Sequence, residues 1–134
     1  MYTPEWILSQ ANLIAGDVVN SPARGRLIQT YRHKHNLTQD EVSQIMRLRR
    51  ETISRIENAR VTPTLGFIHV FAGVMALMEG VKAYRSLNRS IEYPYFCRIG
   101  AELGVPADRI ASIIDLALQS YEQKRKKAIR SLET

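Results

Sequence analysis

The chain has 134 residues, 45% of them hydrophobic and 24% charged, with a net charge of +6 and an isoelectric point near 9.8. That composition excludes a disordered chain and suffices for one domain's core, while the positive balance favours a polyanionic partner, nucleic acid or an anionic membrane surface. A single cysteine, Cys97, excludes an internal disulfide and fits a reducing compartment.

Apolar positions recur at helical spacing, and no alternating, β-branched run is bounded by turn residues, so the chain reads as all-α. Thr3-Pro4 predicts a helix start, with Thr3 as N-cap and Pro4 at the first helical position. Trp6, Ile7, Ala11, Leu13 and Ile14 would form its apolar face, and Gly16 would end or bend it. Ser21-Pro22 opens a second helix through about His33, with Leu27, Ile28 and Tyr31 inward and Asn36 as its stop. Thr38-Gln39-Asp40-Glu41 is a capping box, in which the Thr38 hydroxyl and the Glu41 side chain satisfy each other's backbone N–H groups. A helix of about eight residues follows, with Val42, Ile45 and Met46 inward. Then come a short turn at Arg47-Leu48 and a helix over 49–58 with Ile53 and Ile56 inward.

Thr62-Pro63-Thr64 starts a helix that is apolar on most faces from Leu65 to Leu77, so it should be covered by the N-terminal helix or a second subunit. A helical pattern continues over Val81, Tyr84 and Leu87 after a break at Gly80. Tyr93-Pro94 begins a short helix ended by Gly104, and the last helix runs from about Pro106 to Arg130. Its stripe of Ile110, Ile113, Ile114, Ala117, Leu118 and Tyr121 is a candidate homodimer surface or, equally, core packing within one subunit. The chain thus divides into a helical extension (1–20), a DNA-binding unit (21–78) and a C-terminal dimerisation region (79–134).

Between Ser21 and Thr62 nine basic residues face four acids, so most of the excess charge lies in one third of the chain. The same stretch carries the pattern Leu37-Thr38-Gln39-Asp40-Glu41-Val42-Ser43, Leu48, Thr52-Ile53-Ser54-Arg55-Ile56-Glu57-Asn58 and Pro63. Over about 24–77 it resembles the phage-repressor-like XRE family of helix-turn-helix domains. Helix, tight turn and polar-faced second helix are the parts such a module needs. The resemblance implies a sequence-specific regulator that binds double-stranded DNA through residues 37–60, acts as a homodimer and needs no cofactor or metal.

It also implies that Arg50, Glu51, Ser54 and Arg55 face base edges in the major groove. Arginine can donate twice to guanine, and glutamate can accept from cytosine. Gln39 would contact phosphate or support the recognition helix. Asn58 and Arg60 would touch the backbone, and Arg47 and Arg49 are further phosphate contacts by charge and position. Arg32 and Glu57 would form a buried ion pair, whose truncation on one side would cost about 3–5 kcal/mol. The sequence departs from the pattern at three points. Arg47 and Ala59 stand where glycine is common, Arg47 at a cost of about 1 kcal/mol if it adopts φ > 0, and Arg49 replaces a small N-cap. A second reading with the same fold is a protein-interaction module, an antitoxin or a bridging coactivator. The segment Leu13–Val19 resembles archaeal members of the family.

Other residues read more plainly. His33-Lys34-His35 looks like a solvated helix end, His69 a core histidine and Cys97 a buried structural thiol. Tyr93, Tyr95 and Phe96 should pack the C-terminal helices. Lys124 to Lys127 either complement the last turn's dipole, the favoured reading, or form a second nucleic-acid contact. No Walker loop, HExxH motif or nucleophile elbow occurs, so no enzymatic activity is expected. Residues 1–6 lack a basic n-region, no stretch reaches the length of a membrane span, and a cytoplasmic location is expected.

Overall fold

The computed structural model describes residues 4–133, with seven α-helices and no strand among them. These are α1 (Glu5–Asn20), α2 (Arg24–Lys34), α3 (Gln39–Met46), α4 (Arg50–Glu57), α5 (Leu65–Ser86), α6 (Tyr93–Glu102) and α7 (Ile110–Glu133), with a 3-10 turn at Ala107–Arg109 before α7. The all-α class is as the sequence predicts.

The N-cap predicted at Thr3 lies outside the described residues. Pro4 stands one position before the helix rather than in it, and its carbonyl accepts from the Ile7 and Leu8 amides at 3.1 and 3.5 Å. α1 neither ends nor bends at Gly16. It is held by the row Ile7, Ile14 and Val18, all fully buried, while Gly16 lies on the opposite side. Trp6 and Leu13, predicted inward, are 45% and 60% exposed, because they lie roughly 100° round the helix from that row.

α5 is the central helix. Its principal neighbours are α1 and α7, so the N-terminal helix of the same chain supplies the cover that its apolar surface needs. By length and composition Leu65–Ser86 could cross a membrane, contrary to the reading that no stretch could, but 67% of its most apolar window is buried inside this fold. The break predicted at Gly80 is absent. A Cβ there would lie 2.9 Å from Ile7 Cδ1, so the glycine admits α1 rather than interrupting α5. His69, predicted in the core, is exposed.

The stripe on α7 is internal. Ile110, Ile113 and Ala117 are fully buried and Ile114 nearly so, Leu118 is packed against the core, and Tyr121 lies under the Arg85 guanidinium at 5.5 Å. These residues are therefore not a dimer surface. The partner of that apolar face is the body of the same chain, chiefly α5 and α6. One hydrophobic cluster runs from Ile7 and Ile28 through Ile53 and Phe71 to Phe96 and Ile113, and α5 crosses the boundary drawn at 78 without interruption. Phe96 is buried, Tyr95 and Cys97 are half-buried, and Tyr93 is exposed, so Cys97 is not the fully buried thiol predicted.

Candidate nucleic-acid interface

The α3–turn–α4 unit is set by local chemistry. Thr38 accepts from the Glu41 amide at 3.0 Å while Glu41 accepts from the Thr38 amide at 2.9 Å, completing the capping box. Val42, Ile45 and Met46 turn inward. Ser43 is buried, and its hydroxyl donates back to the Asp40 carbonyl at 2.6 Å, so it is satisfied within α3. α3 ends at Arg47, whose backbone is left-handed (φ 58°, ψ 42°), and the Leu48 amide donates to the Ser43 carbonyl at 2.9 Å. This closing bond satisfies carbonyls that the helix end would otherwise orphan.

The same closure recurs at Asn36 after α2 and at Ala59 after α4, where the Arg60 amide donates to the Arg55 carbonyl at 2.8 Å. Arg47 and Ala59 thus adopt the conformation that glycine would take without strain. Arg49 is the N-cap of α4 in extended geometry and gives no side-chain cap.

Two contacts fix α4 from behind. At Gly25 of α2 the helices meet backbone to backbone. A Cβ there would lie 2.1 Å from the Ile56 carbonyl oxygen and 2.9 Å from that of Glu57. Sequence reasoning missed this residue, whose only signal was a glycine inside a helical pattern. Beside it Arg32 donates through Nε to Glu57 Oε2 at 2.7 Å and through Nη2 to Oε1 at 2.9 Å, a bidentate pair with both side chains buried. Arg32 Nη1 also donates to the Leu37 carbonyl at 2.7 Å, and Gln39 Nε2 to Glu57 Oε1 at 3.2 Å. The pair ties the end of α2, the start of α3 and the end of α4 into one polar knot, and in this structure Gln39 supports the knot.

With Ile53, Ile56 and Glu57 locked inward, α4 presents an arc of about 140° carrying Arg50, Ser54, Glu51, Arg55 and Asn58. Arg49, Arg50, Glu51, Arg55 and Arg60 are all exposed. Among the described residues none of the five makes a side-chain hydrogen bond or ion pair. Ser54 is half-buried, and Asn58 folds back to donate to the Ser54 carbonyl at 2.9 Å. Arg47 is engaged too, in an exposed ion pair with Asp108 of the 3-10 turn. Of the five predicted phosphate contacts, Arg49 and Arg60 project freely, while Gln39, Arg47 and Asn58 hold partners within the chain.

Behind the α2–α3 loop lies a brace that the sequence did not reveal. His35 is buried, not solvated as the His33-Lys34-His35 run suggested; within that run His33 and Lys34 are exposed. Its Nδ1 accepts from Lys82 Nζ at 2.8 Å, Lys82 also donates to Ser120 Oγ at 2.9 Å, and Ser120 donates to Asn36 Oδ1 at 2.7 Å. Loss of solvent, then the charges of Lys82, Lys34 and Lys124, push the His35 pKa down to about 3, so the ring is neutral. The same burial lowers Lys82 to about 8, aided by Lys124. Through this brace α5 and α7 hold the loop that positions Thr38 and Gln39.

A family model described as a helix-turn-helix domain matches residues 25–80, which span α2 to most of α5. No curated protein and no solved structure matches the chain.

Proposed function

We propose, from the helix-turn-helix domain that the chain carries, that it is a sequence-specific regulator that binds double-stranded DNA with α4 in the major groove. The observation that carries this reading is the outer face of α4. Arg50, Glu51 and Arg55 stand exposed and unengaged among the described residues on a helix whose other face is fixed by Ile53, Ile56 and a buried ion pair. A helix held rigidly from behind suits base-edge recognition, because binding need order only these side chains and not the backbone that carries them. The pattern of Thr38-Gln39, Ser43 and Ile53-Ser54-Arg55-Ile56 supports an XRE-type regulator. The role calls for no catalytic group and for a cytoplasmic location. A single module reads few base pairs, so we propose a homodimer with recognition helices about 34 Å apart, using a surface other than the buried α7 stripe. Sedimentation at micromolar concentration should give a dimer, and a monomer with and without duplex would remove that part of the reading.

Selection of bound duplexes from a random pool tests the function. The wild type should enrich a defined site, and Arg50→Ala should weaken binding to it by about 1–3 kcal/mol and relax preference at one base position. The second reading, a bridging or antitoxin-like interaction module, is favoured by the internal engagement of Gln39, Arg47 and Asn58. It takes precedence if no sequence is enriched.

A further inference from the structure

We propose that the distal half of α7 is a second contact to the DNA backbone, extending the interface past the N-terminal end of α3; this rests on the DNA-binding reading above. α7 runs alongside α3 in the opposite direction. The 3-10 turn ahead of it meets the end of α3 through Asp108 and Arg47, its first two turns share a groove with Glu41, Gln44 and Ile45 through Ser112 and Leu116, and Ser120 near its middle reaches Asn36 just ahead of α3. α7 then continues to Glu133. At helical rise, residues 126–130 lie about 9–15 Å beyond Ser120. The face that follows α3 continues, at helical spacing, into Lys126, Lys127 and Arg130.

The segment 123–132 carries five bases and no acid, and these three are exposed. The helix dipole accounts for Arg130 alone, since of these three only Arg130 is in the last turn of α7 and the dipole's effect fades within that turn, which leaves Lys126 and Lys127 without that role. Lys126 and Arg130 stand four apart and Lys127 and Arg130 three apart, like-charge spacings that destabilise a lone helix and are relieved by an external anion. The start of α3, with Gln39, is where the domain would approach the phosphates, so the basic face is placed to neutralise phosphates flanking the site. Such contacts add affinity and salt dependence but no base preference.

The test measures duplex binding by the full chain across a salt series, for the wild type, for the triple variant Lys126→Gln, Lys127→Gln, Arg130→Gln, and for Arg50→Ala. Lys124, which donates to the Lys34 carbonyl, is left in place. The triple variant should bind every duplex at least about tenfold more weakly near 0.1 M salt, and its plot of log K against log salt should be shallower by about 2–3. Its base preference should be unchanged. Charge-retaining Lys126→Arg, Lys127→Arg, Arg130→Lys should bind as the wild type does. Equal slopes and affinities for wild type and triple variant, with Arg50→Ala weakened, would overturn this inference and leave the DNA-binding reading standing. No duplex binding by the wild type at low salt would overturn both. If the triple variant instead loses only binding to phosphatidylserine-containing vesicles, a membrane surface takes the place of DNA and the inference is overturned.

Discussion

Two residues with positive φ, Arg47 and Ala59, bracket α4, and neither is glycine. Each side chain crowds its own backbone at a cost of about 1 kcal/mol relative to glycine. Ala59 is exposed and has no side-chain partner to lose, so Ala59→Gly should stabilise the protein by about that amount. The expected rise in melting temperature is about 3–5 °C, and a thermal scan that shows no rise or a fall would contradict the strain argument. Arg47 differs, because its side chain is held by Asp108. Asp108→Asn should free the Arg47 guanidinium for phosphate. Duplex affinity should then rise a few-fold at low salt, with the salt dependence steeper by up to about 1; unchanged affinity would mean that Arg47 points away from DNA.

At the scale of elements, the α2–α4 crossing is the tightest point of the domain. Gly25→Ala would force a methyl carbon against two backbone carbonyls that cannot swing away, so α2 must lift off α4. The loss should be about 2–3 kcal/mol or more, read as a lower denaturation midpoint; an unchanged midpoint would refute the close approach. The helix-turn-helix elements were legible because their signals are local: a capping box, a turn, and isoleucines three apart. The faces of the other helices were not. In α1, Trp6 and Leu13 are as apolar as Ile7 and Ile14, and only contact with α5 decides which row turns inward. Gly80 reads as a helix breaker until the approach of Ile7 is seen. The α7 stripe has the same spacing whether it covers a core or a second subunit, and the structure assigns it to the core.

For the molecule as a whole, a single core joins the domain to its flanking helices, and the brace at His35 joins them through polar groups. No local signal could reveal that brace, since Lys82 and Ser120 come from 47 and 85 positions away. It makes the fold acid-sensitive. The folded ring resists a proton down to about pH 3, whereas the unfolded ring takes one below about 6.5. Between those values the unfolded state binds more protons, so stability falls as pH drops, by up to about 1.4 kcal/mol per unit from this group. Comparing wild type with His35→Gln between pH 5 and 7 should show a steeper loss in the wild type, and parallel curves would contradict the assignment. The outer face of α4 remains the centre of the account, and titration of the double variant Arg50→Ala, Arg55→Ala against a selected duplex at low salt tests it most directly. The account predicts that specific binding collapses to the level of a random duplex while the melting temperature holds; undiminished preference for the selected site would contradict it.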